Sequence, residues 1–158
     1  MPSIVTNLWF DGQAEEAARF YTELFGGTVG RALPYGPDQP GVEGTTMTVD
    51  FEILGMKLTG INGGPQFPFT EAVSLEVQCE TQQELDRIWF ALVDGGKPGP
   101  CGWCKDRYGL SWQITPNLLG ALLEDGDPDG INRAMKVVLS TDGQPLNFAA
   151  IRAAYDRE

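Results

Sequence analysis

Histidine is absent from this sequence. That removes the commonest general base and the commonest metal ligand together. Serine–histidine triads, cysteine–histidine pairs and histidine-containing zinc sites are thereby excluded. Cysteine is scarce, at three residues, and so small and odd a number in a reducing compartment reads as free thiols. Basic residues number 11 against 22 acidic ones, a net charge of −11. That balance opposes phosphate backbones and anionic lipid surfaces, so neither nucleic acid nor membrane is an expected partner. No apolar run approaches bilayer-spanning length. The opening Met-Pro-Ser-Ile-Val-Thr-Asn has neither the basic region nor the apolar stretch of a secretory leader. The cytoplasm is the expected location.

What is present suits one domain with a real core: 158 residues, 42% hydrophobic and 21% charged. Ile4 to Phe10 has strand length, and "QAEEAARFYTELF" carries Ala17, Phe20, Tyr21 and Leu24 at helical spacing. Gly26-Gly27 closes that helix. Strand-like runs follow over residues 28–35, 45–53 and 56–62, with Leu54-Gly55 as a tight turn. After "GGPQFPFTE" the order repeats. "AVSLEVQCE" reads as a strand and "TQQELDRIWFALVD" as a helix entered through a Thr81/Glu84 capping box. Gly95-Gly96 closes it. With an offset of 69 residues, Leu8 falls on Val77, Phe20 on Trp89 and Gly26-Gly27 on Gly95-Gly96. Duplication of a βαβββ unit explains this order. The second copy continues through residues 103–106, a turn at Arg107-Tyr108-Gly109 with Asp106 as its turn-forming carboxylate, and a strand over 110–115. Beyond Pro116 three helical stretches read as packing elements, Pro128 and Pro145 standing near the starts of two.

Alternation sorts the strands into faces. Ile4, Leu8 and Phe10 oppose Val5, Asn7 and Trp9. Val73, Leu75, Val77 and Cys79 oppose Ser74, Glu76 and Gln78. Leu110, Trp112 and Ile114 oppose Ser111, Gln113 and Thr115. One apolar face per strand suits helices on one side only. The other face is either simply wet or lines a cavity, a reading the duplication favours.

The stretches "NLWFDGQAEEAARFYTELFGG", "INGGPQFPFTEAVSLEVQCETQQELDRIW" and "CGWCKDRYGLSWQITP" resemble the PhnB-like branch of the vicinal-oxygen-chelate superfamily, the glyoxalase/bleomycin-resistance/dioxygenase fold. Members of this branch are often labelled 3-demethylubiquinone-9 3-methyltransferase. The likeness spans residues 3–116. It implies an α+β fold: two βαβββ modules, about 3–63 and 71–116, forming a concave mixed sheet with helices on the outer face. A helical tail over 117–158 completes one domain. It also implies a homodimer and a small-molecule site in each concavity. The superfamily's metal ligands correspond by this resemblance to Val5, a residue near Asn62, Ser74 and Gln113. Valine cannot ligate, and neutral hydroxyl and amide groups suit a divalent metal poorly, so no metal and no other cofactor is expected. The methyltransferase label lacks a mechanism, because "GGTVG" at 26–30 follows a helix instead of opening one.

Two functions remain open. One is an enzyme acting on a small, oxygen-rich substrate. Its polar contacts are Asn7, Asn62, Ser74, Glu76 and Gln113, its stacking walls Trp9 and Trp103, and its general base Glu76, although a solvated strand glutamate is the simpler account of Glu76. The other is metal-free sequestration of a small aromatic or cationic compound, suggested by bleomycin-resistance relatives and by the net charge. Cys101-Gly102-Trp103-Cys104 invites a redox or zinc reading, but a thioredoxin-like pair needs a helix N-terminus. If 101–104 is extended, its α-carbons stand about 10 Å apart, beyond the roughly 4.4–6.8 Å of a disulfide. Trp103 is the residue there expected to meet a ligand.

Overall fold

In the computed structural model, which describes residues 1–156, the chain passes twice through the same order of elements. The first pass runs β1 (Thr6–Phe10), α1 (Ala14–Phe25), β2 (Gly27–Pro34), β3 (Thr46–Ile53) and β4 (Met56–Asn62). The second runs β5 (Ser74–Cys79), α2 (Gln82–Val93), β6 (Lys97–Pro98), β7 (Trp103–Lys105) and β8 (Ser111–Pro116). Each pass builds its own four-stranded mixed sheet, in the orders β1-β4-β3-β2 and β5-β8-β7-β6. In both, the first strand lies parallel to the last and the remaining pairs are antiparallel. Three helices follow: α3 (Leu118–Asp125), α4 (Pro128–Ser140) and α5 (Phe148–Asp156). The chain divides into two compact units, one of residues 1–69 and one from residue 70 onward.

Each helix buries one stripe: Ala14, Ala17, Ala18 and Tyr21 on α1, Leu85, Ile88, Trp89 and Leu92 on α2. The sheet residues buried with them are Leu8, Phe10, Val49, Phe51 and Leu58 in the first unit, and Val77, Cys79, Cys104, Trp112 and Ile114 in the second. The repeated Gly-Gly has one physical cause in both units. The first glycine takes a left-handed turn, φ 75° at Gly26 and 76° at Gly95. The second lies against a carbonyl of the facing strand: a β-carbon would stand 1.9 Å from the Glu52 oxygen at Gly27, and 2.1 Å from the Lys105 oxygen at Gly96. Any side chain there would push the chain away from that strand.

The helix N-termini are satisfied differently. Thr81 accepts from the Glu84 amide at 3.2 Å, and the Glu84 carboxylate accepts from the Glu80 amide at 3.0 Å, close to the expected capping box. Helix α1 has no cap from its own Gln13. The Ala14 amide instead donates to Asn62 Oδ1 at 2.9 Å, across from β4.

Several expectations are corrected. The first strand begins at Thr6, so Ile4, 95% exposed, is no core residue, and Val73 is likewise outside β5 and exposed. Residues 101–104 are not extended: Cys101 and Gly102 adopt φ of 57° and 84° as the turn of a β6–β7 hairpin, with the Trp103 amide donating to the Pro100 carbonyl at 2.8 Å. β6 is a two-residue strand within "KPGP", where proline and glycine mask it. In β8, Ser111 and Thr115 are buried despite lying on the polar side.

The tail packs on the second unit through backbone and side-chain links. Asp142 bridges to Pro100, the Cys101 amide donates to Thr141 O at 2.8 Å, and the Gly143 amide donates to Gly99 O at 3.0 Å. From the start of α2, Gln82 Nε2 donates to Leu146 O and Gln82 Oε1 accepts from the Phe148 amide, both at 2.9 Å. Leu146 and Ile151 are fully buried. Within the tail, Asp127 caps α4, Arg133 donates to the Ala154 and Tyr155 carbonyls, and the Tyr155 hydroxyl donates to Asp125. Gln82→Ala should destabilise the protein by about 2 kcal/mol, the order expected for paired part-buried hydrogen bonds. Amide exchange at Phe148 should accelerate in that variant while protection in residues 46–62 is kept.

Candidate functional site

Strand register sets the polar face of each sheet as rows of facing side chains. In the second unit one row runs Lys97, Lys105, Ser111, Ser74 across β6, β7, β8 and β5. The next runs Trp103, Gln113, Glu76. Gln113 Nε2 donates to Ser74 Oγ at 2.9 Å, and Thr115 Oγ1 donates to Glu76 Oε1 at 2.8 Å. Four of the residues singled out from sequence, Ser74, Glu76, Gln113 and Trp103, are therefore neighbours on one surface. A hollow of about 270 Å³ opens beside them, lined by Lys97, Pro98, Pro100, Trp103, Lys105 and Ser111.

The first unit has a hollow in the corresponding place, about 300 Å³, lined by Val5, Thr28, Asp50, Glu52, Lys57 and Thr59. Its rows are Thr28, Glu52, Lys57 and, by alternation, Val5, then Asp50, Thr59 and Asn7. Asp50 accepts from Thr59 Oγ1 at 2.9 Å and faces Arg31 at 3.7 Å. Asn7 is exposed, its amide donating locally to Val5 O at 3.1 Å. Trp9 is half-buried: its indole nitrogen donates to Gly64 O at 2.8 Å and its ring meets Phe67 edge-on, centroids 5.0 Å apart. The linker thus occupies much of the indole's contact surface.

Asn62 lies apart from the others. It pairs in register with core Phe10, and its amide both receives the Ala14 amide and donates to Thr46 O at 3.0 Å. Its place is the helix side of the sheet. The counterpart of Gln113 in the first unit is Thr59, and that of Asn62 in the second is Pro116. A further hollow, about 660 Å³, holds Asn62, Asp11, Glu15 and Tyr35 but none of the other candidates.

Sequence reasoning passed over Lys97, Lys105 and Ser111. Ser111 was visible by alternation with Gln113, but its burial was not. The lysines sit in strands too short to show a period.

A divalent metal does not fit the residues present. At the positions implied by the resemblance, Val5 has no donor atom, and Ser74 and Gln113 are neutral groups bonded to each other. Among the described residues no three histidine, cysteine, aspartate or glutamate side chains converge.

The cysteines are free. Burial pushes the Cys104 thiol up to about 12, aided by nearby Asp106, and the Cys79 thiol up to about 11, aided by Glu84. Both are the reverse of an activated thiolate. Cys101, half-buried, directs Sγ to Leu139 O at 3.7 Å.

Residues 2–115 match the profile of the family described as 3-demethylubiquinone-9 3-methyltransferase. A PhnB protein from Bacillus cereus is 36% identical, covering 73% of this chain and 99% of its own, with a TM-score of 0.66. A protein from Pseudomonas aeruginosa is 26% identical, covering 73% and 98%, at 0.59. The fosfomycin resistance protein FosX from Listeria monocytogenes, in complex with Mn(II) and dihydroxypropylphosphonic acid, is 13% identical over 78% and 98%, at 0.54, a likeness of fold. No curated protein matches the sequence.

At pH 8 iodoacetamide should label the native protein at Cys101 alone, with Cys79 and Cys104 reacting only on unfolding, as peptide mass mapping would read. The raised thiols also set a sign. Above about 9 the unfolded chain loses thiol protons that the native state keeps, so stability should fall as pH rises from 9 toward 12. Alkaline denaturant titrations of a Cys104→Ala variant against wild type should show a shallower fall.

Proposed function

Because the chain belongs to the 3-demethylubiquinone-9 3-methyltransferase family, the PhnB-like branch of the vicinal-oxygen-chelate superfamily, we propose that it binds a small molecule on the polar face of its second sheet, without a metal or other cofactor. The observation that carries this reading is the cross-strand row Trp103, Gln113, Glu76 beside a hollow walled by Trp103. An indole face supplies area and a carboxamide fixes orientation, the usual division of labour in small-molecule sites. The family's methyltransferase description has no support in the glycine-rich stretch, since Gly26 and Gly27 serve the junction of α1 and β2.

This arrangement supports sequestration of an aromatic compound. Catalysis is a second reading, favoured by the position of Glu76 next to Gln113 with one carboxylate oxygen bound by Thr115. In it, Glu76 takes a proton from the bound molecule while Gln113 orients it. A second copy of the chain is the expected protein partner, which sedimentation velocity tests. No helix among the described residues is long and apolar enough to cross a membrane.

The test is a titration of the ¹⁵N-labelled protein with a panel of aromatic and oxygen-rich small molecules, read at the indole N–H signals. Binding should move the Trp103 signal, and Gln113→Ala should weaken it about tenfold, the loss expected for one well-placed hydrogen bond. Shifts confined to Trp9, or silence at Trp103 across the panel, would overturn the assignment.

A further inference from the structure

The acidity of the chain conceals a local reversal of charge. Where the first sheet carries Thr28, Glu52 and Lys57 along its outer row, the second carries Lys97, Lys105 and Ser111. Asp50 in the first hollow corresponds to Trp103 in the second. Lys97 and Lys105 stand directly opposite across an antiparallel pair, an arrangement in which like charges repel. Glu71 offsets Lys105 through an ion pair of 2.6 Å, while Lys97 has no ion-pair partner among the described residues. In the same hollow Ser111, 1% exposed, has a hydroxyl with no hydrogen-bond partner. Buried hydroxyls are almost always bonded, and an exception calls for a cause.

Opposed lysines, an unpaired hydroxyl and an indole wall are all completed by one kind of guest. We propose that this hollow is an anion site, taking a small molecule with a carboxylate or phosphonate group on an aromatic body. The assignment rests on the ligand-site reading above and names its substrate class. Lys97 and Lys105 receive the anionic oxygens, and Ser111, its hydroxyl closed off from solvent, rotates about its Cα–Cβ bond to donate to them. Trp103, with Pro98 and Pro100, covers the ring. Glu71, two-thirds exposed just before β5, holds the place of the guest's anion on Lys105 until a guest arrives. It acts as an internal competitor. The negative charge of the whole chain keeps such anions from adhering elsewhere.

The experiment titrates the full chain with benzoate, phenylphosphonate, inorganic phosphate and benzylammonium, followed at the Trp103 indole and by calorimetry. Benzoate or phenylphosphonate should bind saturably, more weakly as salt is raised, and whichever binds tighter assigns the anion. Lys97→Met should weaken that binding about tenfold, as loss of a charge-assisted contact does. Glu71→Gln should tighten it, and Ser111→Ala should weaken it while leaving the Tm unchanged or raised. Benzylammonium binding as tightly as the anions, or affinity unchanged in Lys97→Met, would overturn the anion site, and inorganic phosphate binding as tightly as either aromatic anion would overturn the aromatic body of the guest. If neutral or cationic aromatics move Trp103 regardless of Lys97, the anion assignment fails and the ligand-site reading stands. If no compound moves Trp103, both fail.

Discussion

Three donors converge on the carboxylate of Asp106, which is nearly fully buried: the Tyr108 amide at 2.9 Å, the Leu110 amide at 3.1 Å and the Trp112 indole at 2.8 Å. A buried carboxylate is tolerated only when its hydrogen-bonding capacity is used. Here that requirement ties the β7–β8 turn to Trp112, one of the largest side chains of the second core. The tie favours the register in which Ser111 stands opposite Lys105 and Gln113 opposite Trp103. A slip of one residue would send Trp112 to the polar face and Gln113 into the core. The first unit makes its equivalent turn with two residues, Leu54 and Gly55, both left-handed, and needs no such anchor.

The helices, the Gly-Gly closures and the duplicated order were legible because helical period and punctuation are local signals. Side-chain face was legible for β5 and β8, where alternation runs over six residues in each strand. It failed for Asn62. The offset of 69 that aligns the first strands and helices does not carry to the last strands, where register pairs Thr59 with the place of Gln113. The reason is the hairpin of the second and third strands, whose strands and connection are all longer in the first unit, over residues 27–53, than in the second, over residues 97–105. The turn at Cys101 is illegible in the sequence because a left-handed cysteine is uncommon. Only the tail's grip on 99–101 explains why the hairpin turns there.

The two hollows show how duplicated scaffolds diverge. Backbone-determined features were kept: the strand order, the second glycine against the third strand, and the parallel pairing of first and last strands. Side chains on the polar rows were free to change, because they bear little of the packing. The first hollow carries Asp50, Glu52 and Lys57, and the second Glu71, two lysines and an indole. Function on such a fold is set by the rows and not by the architecture.

The contacts between Gln82 and the residues at 146 and 148 join segments 64 and 66 positions apart in the chain. On the ribosome, the hairpin carrying Lys97, Trp103 and Lys105 emerges well before the strand-like stretch at 141–143 that braces it. At ordinary rates of synthesis that interval lasts on the order of seconds. The first sheet has all its pairings within residues 6–62 and has no such wait. Synthesis from the N-terminus therefore delivers the first sheet whole before the second hairpin has its brace, and the wall of the hollow is expected to be among the last parts of the chain to acquire its shape.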